Sequence, residues 1–285
     1  MVTQNNKQYD VAIMGMGVRN IAHTTFEFVR VLKECELGFV VSLDQKSVDA
    51  FSSSLSSLSV EGKSLPPLVS LVETYKADRI RHENYQEAAK VVLDATADNR
   101  PVAYITPGNP VTFDRVAQEL ISGCVQRGLR FKVIPAISFI DTILVDLQQE
   151  LAPGMQTYEA SWFVGMNIRP DTRLSCLLVQ TSTFATSYPI LDGRHPKKSA
   201  LMSLKEYLLK FYPDEHLVAL VRSGISWDDS ANICPVKIGD LDNISSLDQL
   251  GASMFIPPLQ EAVIEQDFLS AMADTDNLES MYPKT

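Results

Sequence analysis

No stretch of this chain approaches the roughly 18 consecutive apolar residues that a bilayer-spanning helix needs, so a membrane span is excluded. The start, MVTQNNKQYD, lacks the basic-then-apolar order of an export signal, which points to the cytoplasm. Cysteine is scarce. The four, Cys35, Cys124, Cys176 and Cys234, lie far apart, with no CxxC pair and no histidines at metal-ligand spacing. They read as reduced, buried thiols, and no metal site is expected. Positive charge is scarce too: 25 Lys and Arg stand against 35 Asp and Glu, a formal net charge of −10. With no basic cluster longer than the pair Lys197 and Lys198, a nucleic-acid partner is not expected. There is no internal repeat, and the one biased segment, FSSSLSSLSV (51–60), reads as a helix end or loop.

What is present is an alternation. Short apolar runs, VAIMG (11–15), GFVVSL (38–43), VAYIT (102–106) and FKVIP (131–135), are interleaved with helical patterns over about 25–36, 84–94, up to 127 and up to 149. Near-continuous apolar strands between helices are the pattern of a parallel sheet covered on both faces. After Pro153 and Gly154 the strand-like runs become denser: 157–165, 174–181, 216–222, 231–241 and 253–258, with helical patterns clearest at 205–211 and 261–273. The expectation is an α/β chain of two domains, 1–150 with a parallel sheet and 151–285 with a mixed sheet, ending in a mobile acidic tail, 274–285.

Three turns at strand ends carry the candidate binding chemistry. GMGVRN (15–20) offers Gly15 and Gly17 for close backbone approach, but Asn20 stands where a dinucleotide fingerprint needs its third glycine. TPGNP (106–110) lacks the Gly-Lys-Ser/Thr of a nucleotide-phosphate loop. IPAIS (134–138) sets Ser138 where a helix cap or a ligand contact belongs. Loops of this kind, at the carboxyl ends of strands, are where α/β proteins hold ligands.

The order of these motifs, GxG, then His23 and Thr24 opening the first helix, then GNP, then P-x-x-S, resembles the tetrapyrrole methylase superfamily over roughly residues 10 to 260. That resemblance implies two α/β domains, a homodimer, and S-adenosylmethionine folded into the cleft between the domains. It implies cofactor contacts at Gly15, Gly17, Pro107, Gly108, Asn109, Pro110, Ser138, Gln180 and Pro257. A neutral, glycine-bearing loop suits a sulfonium group, which has no phosphate to cradle.

A finer resemblance lies in YKADRIRHENYQEA (75–88), with TYEASWF (157–163) and LLVQT (177–181): these look like borosin sequence, from methyltransferases that methylate backbone amide nitrogens. Tyr75, Arg81 and Tyr85 stand at the spacing of that family's catalytic tyrosine, arginine and tyrosine. Where those enzymes have tyrosine-glycine-histidine-proline at the cofactor loop, this chain has Pro107, Gly108, Asn109 and Pro110. The tail DTDNLESMYPKT (274–285) is acidic and carries no apolar core-peptide run, which the resemblance implies to be the split type, acting on a separate precursor peptide.

The residue types suit the chemistry. An amide nitrogen is a poor nucleophile because its lone pair is delocalised into the carbonyl. The site therefore needs an acceptor for the N–H proton and a cation near the oxygen. A tyrosine becomes a competent base where an arginine favours its phenolate, and a guanidinium stabilises an oxyanion. Arg81 and Tyr85, four apart, share a helix face. Two other readings stand beside this one. A tetrapyrrole C-methyltransferase of the same fold would need a basic cleft for a polycarboxylate, and a non-catalytic cofactor-binding scaffold would need no catalytic residues.

Overall fold

A computed structural model describes residues 9–58, 63–191, 198–226, 229–244, 253–260 and 263–282. The first sheet holds β1 (Val11–Gly15), β2 (Leu37–Val40), β3 (Leu68–Ser70), β4 (Val102–Thr106) and β5 (Phe131–Ile134), all parallel in the order β3-β2-β4-β1-β5. Its helices are α1 (Phe26–Leu32), α2 (Gln45–Ser56), α3 (Arg81–Ala95), α4 (Arg115–Arg127) and α5 (Phe139–Leu147).

The pleat explains why the two central strands are apolar throughout. Ala12, Met14, Ala103 and Ile105 face Phe28, Leu32, Val48 and Phe51 of α1 and α2. Val11, Ile13, Val102 and Tyr104 face Ala88, Val92, Val116 and Leu120 of α3 and α4. Side chains alternate across a strand, so a strand buried on both faces must be apolar at every position.

The second sheet holds β6 (Met155–Glu159), β7 (Ser175–Val179), β8 (Leu217–Arg222), β9 (Asn232–Lys237) and β10 (Ser253–Ile256), in the order β6-β7-β10-β8-β9. Only the β6–β7 pairing is parallel, which makes the sheet mixed as expected. One face packs on α6 (Ala160–Gly165) and α7 (Met202–Leu208), through Phe163, Leu204, Tyr207 and Leu208. The other packs on α5, where Ile143 meets Leu177, Val179, Val221 and Phe255. Thus α5 follows the last strand of the first sheet yet covers the second, and this brings the strand ends of both sheets together.

Three local expectations differ from the structure, and one of two alternatives is decided by it. The run 157–165 is strand only to Glu159, whose carboxylate accepts from the Trp162 amide at 2.7 Å and caps α6. The Ser-rich run, read as a helix end or loop, is the end of α2 through Ser56, with Phe51 and Leu55 buried and Ser53 and Ser54 hydroxyls bonded to carbonyls four residues back; 59 and 60 lie outside the described residues. The first helix is not opened by His23 and Thr24: a 3-10 turn, Asn20–His23, intervenes and Thr25 caps α1. At the carboxyl end α8 spans Gln266–Met272, and the segment expected as a tail forms α9 (Thr275–Met281).

Candidate functional site

The three glycine- and proline-bearing turns do meet. A Cβ on Gly15 would collide with the Gly108 carbonyl oxygen and lie 2.8 Å from both Ala136 Cβ and Pro110 Cδ, so only glycine lets them approach. Gly17 and Gly108, both with left-handed backbone, exchange hydrogen bonds: Gly17 N donates to Gly108 O at 3.2 Å and Gly108 N to Gly17 O at 2.9 Å. Asn109 Nδ2 donates to Ala136 O at 3.0 Å, and Ser138 forms a reciprocal cap with Asp141 at the start of α5. Much of the polar inventory of these turns is therefore engaged in holding the turns to each other. Gly108 keeps an open side, since an added Cβ would meet no atom within 4 Å.

Beside them lies a cavity of about 300 Å³, at the lower end of the range for small-molecule sites. The first sheet contributes Val41 and Ser42 beyond β2, Thr106 and Pro107 at β4, and the segment from Thr112 to Val116. Tyr75, Tyr85 and Phe139 add aromatic wall, while Val179, Gln180 and Ser253 close it from the second sheet. Of the residues expected from the sequence, Tyr75, Tyr85, Pro107 and Gln180 line this cavity; Gly15, Gly17, Gly108, Asn109, Pro110 and Ser138 form the adjoining turns. Pro257 follows the far end of β10 from Ser253, with its carbonyl 3.1 Å from His216 Nε2.

Three wall residues, Ser42, Phe113 and Gln180, have φ of 67°, 58° and 60°. Left-handed backbone at residues other than glycine costs free energy and gathers at functional sites. Ser253 is 1% exposed and its Oγ has no hydrogen-bond partner. A buried orphan hydroxyl facing a cavity is a contact waiting for a ligand atom. With apolar walls at Val41, Phe139 and Val179, an open side at Gly108 and the free Ser253 hydroxyl, these residues fit an adenosyl sulfonium group.

Tyr75 and Tyr85 meet edge-to-face with ring centroids 6.2 Å apart. Their relative position is set by Asn84, fully buried, a residue the sequence reading missed. Its Oδ1 accepts from Lys76 N at 2.7 Å and its Nδ2 donates to the carbonyls of Lys76 at 3.0 Å and Arg79 at 3.1 Å, clamping the loop after Tyr75 onto α3. Arg81, in the first turn of α3, reaches the loop after β7: Nη1 donates to Thr183 Oγ1 at 3.0 Å, Nη2 to the Thr186 carbonyl, and its backbone N to Ser187 O at 2.6 Å.

The electrostatics correct one expectation. Burial pushes the Tyr85 hydroxyl above the usual tyrosine range and outweighs the opposing pull of Arg81. Tyr75 is raised by burial as well, with Tyr85 and Asp114 adding to it. Both phenols are therefore neutral at physiological pH. Behind them Tyr104 OH donates to Asp114 Oδ2 at 3.0 Å, and the Asp114 carboxyl is itself raised by burial, against the hydrogen bonds that favour its charge. Sequence reading missed this pair, although an Asp just before the apolar periodicity of α4 was visible as a helix cap.

Among the described residues no three His, Cys, Asp or Glu side chains gather as a metal ion would need, and no helix is long and apolar enough to cross a membrane.

A family model described as Tetrapyrrole (Corrin/Porphyrin) Methylases matches residues 10–242. The chain is 25% identical over 256 residues to a methyltransferase/ribosomally synthesized type II borosin cyclic peptide precursor of Phlebiopsis gigantea, covering 88% of this chain and 43% of that protein. The chain thus spans under half the length of that curated relative. In fold it is similar to the cobalt precorrin-4 methyltransferase CbiF, with a TM-score of 0.55 at 13% identity over 87% of this chain and 94% of that one. It is also similar to the uroporphyrin-III C-methyltransferase of Thermus thermophilus solved with S-adenyl homocysteine, with a TM-score of 0.53 at 14% identity over 87% and 91% of the two chains.

Proposed function

The chain belongs to the tetrapyrrole methylase family, and from that premise we propose that it transfers the methyl group of S-adenosylmethionine to backbone amide nitrogens of a ribosomally made precursor peptide. The observation that carries this reading is that Tyr75 and Tyr85 wall one cavity while Arg81, at the spacing seen in the borosin-like motif, stands beside them and bonds to the facing loop. Similarity to a borosin methyltransferase and precursor supports it further.

Gly108, Gln180 and Ser253 would hold the cofactor, which would supply an electrophilic methyl group. The protein's own residues do the rest. Neutral phenols at Tyr75 and Tyr85 hydrogen-bond the peptide group and fix its orientation, which matters because near-attack geometry supplies much of the rate in a transfer of this kind. The Arg81 guanidinium offsets the negative charge that gathers on the amide oxygen as the N–H proton leaves and the group takes on imidate character. Tyr104, Phe113 and Phe139 exclude water and strengthen these interactions.

The cavity's charge favours a peptide over a tetrapyrrole. Among its described lining residues Arg115 is the one basic side chain, and its guanidinium is 2.9 Å from Glu119. A polycarboxylate would find little to pair with; an uncharged peptide needs no such partner. The proposal includes a homodimer, which light scattering at twice the chain mass would support.

The test is incubation of the purified protein with S-adenosylmethionine and a set of uncharged apolar synthetic peptides, read by fragmentation mass spectrometry. Methyl groups on backbone nitrogens are the expected result. Methylation of a tetrapyrrole, with every peptide unchanged, would sink the reading.

A further inference from the structure

Amide methylation must deposit a proton, and the tyrosines of this site are poor places for it. Burial holds both Tyr75 and Tyr85 neutral, and a protonated phenol has no capacity to accept the proton for keeps. We propose that Asp114 is the proton acceptor of this cavity, held in place from behind by Tyr104; this rests on the methyl-transfer reading above. The N–H bond breaks as the N–CH3 bond forms, the electron pair of the old carbon–sulfur bond stays on sulfur as a neutral thioether, and the proton ends on the Asp114 carboxylate, to be released to solvent with the product.

The geometry separates this role from plain helix capping. Asp114 Oδ1 accepts from Ala117 N at 3.0 Å, and that bond alone completes the cap of α4. The second oxygen accepts from Tyr104 OH at 3.0 Å, a side chain with no exposure that lies under the cavity wall. The Thr106 hydroxyl and the Val116 N–H also favour the charged form of the carboxyl, and a hydroxyl can rotate away to free an oxygen for the incoming proton. Asp114 itself is only half-buried and lines the cavity that Tyr75 and Tyr85 also line. A cap on an open surface has only water around it; this one shares a cavity wall with Tyr75, Tyr85 and Tyr104.

Among the described residues no cation compensates the carboxyl. From β4 it meets Tyr104 and the Thr106 hydroxyl, and from the opposite wall Tyr75 and Tyr85. Arg115, next in the chain, is turned to Glu119, which His82 also approaches at 3.9 Å. Arg81 is engaged with Thr183 and Thr186, and Glu159 adds negative charge on the Tyr85 side. A carboxyl moved up by burial toward neutrality is a better match to proton transfer than one held in its ordinary range.

Asp114→Asn tests it, because asparagine caps helices about as well as aspartate and its one amide oxygen, in place of Oδ1, can still accept from Ala117 N and from Tyr104 OH, which lies 3.2 Å from that atom, yet takes no proton. The variant should melt like wild type and bind S-adenosylhomocysteine with unchanged affinity. Its single-turnover methylation should fall by about 100-fold or more. The acid limb of the wild-type pH–rate profile, expected above the ordinary carboxylate range, should disappear. Ultraviolet titration gives a second readout that needs no peptide: with the charge of Asp114 gone, the cavity tyrosines should ionise at lower pH than in wild type. An active wild type beside an equally active Asp114→Asn, with the acid limb in place, overturns this assignment alone. A folded wild type that methylates no peptide overturns the peptide reading and this inference together.

Discussion

The guanidinium of Arg81 donates to the hydroxyl of Thr183 over 3.0 Å, across 102 residues of chain. One side chain from the first helical turn of α3 is thereby fastened to the loop that follows the central part of the second sheet. The planar fork makes this possible, since Nη1 and Nη2 reach Thr183 and the Thr186 carbonyl at once.

Arg81→Lys keeps the charge and loses the fork. Methylation should fall by about two orders of magnitude, the scale of a lost oxyanion donor, with cofactor affinity unchanged. Thr183→Val removes one anchor and leaves the bond to Thr186, so its loss should be several-fold only. Equal effects of the two variants in single-turnover assays would mean that Arg81 acts as a structural tie and not on the substrate.

Tyr85→Phe removes a hydroxyl from the cavity wall and leaves the ring contact with Tyr75, whose centroid separation is 6.2 Å. Melting temperature should be unchanged and methylation slowed by at least about tenfold, the factor that roughly 1.4 kcal/mol represents. Tyr75→Phe should be milder. If both variants turn over like wild type, the tyrosines leave the mechanism and only their packing remains.

Calorimetry in the presence of chelator should detect binding of S-adenosylhomocysteine. Ser253→Ala deletes the orphan hydroxyl and should weaken that binding by about fivefold to tenfold, in line with about 1 kcal/mol for one hydrogen bond. Unaltered affinity would move the ligand away from the β10 side of the cavity.

At the opposite end of the first sheet, Asp10 accepts from Arg130 N at 2.9 Å and from its guanidinium at 3.2 Å, with Arg100 3.8 Å away. The hydrogen bonds from Arg130 hold this carboxyl below the usual range, against the effect of burial. A lowered value in the folded state means that the stabilisation is present above the unfolded pKa of about 3.9 and is lost as pH falls through the folded one. Because Arg130 stays open to solvent, screening keeps the contribution small. Asp10→Asn should lower the melting temperature at neutral pH and shrink the gap to wild type in strong acid; a gap independent of pH would exclude this linkage.

Much of the architecture was legible because its causes are local. β1 and β4 are buried on both faces, so their apolar runs are continuous and the parallel sheet could be read from them; Pro and Gly at strand ends marked the turns; the spacing of Tyr75, Arg81 and Tyr85 needed no coordinates. Where a single contact overrides local preference, the reading failed: the Glu159 carboxylate turns strand to helix at Ala160.

The cavity itself belongs to tertiary structure. Ser253 meets Asp114 and Tyr104 across the cavity because α5 leaves the first sheet to cover the second, and no spacing along the chain encodes that. The protonation of the phenols is decided there as well. From sequence, Arg81 beside Tyr85 argues for phenolate; in the fold, burial costs the charged form more than one guanidinium returns, and the desolvation of a side chain is a property of everything packed around it.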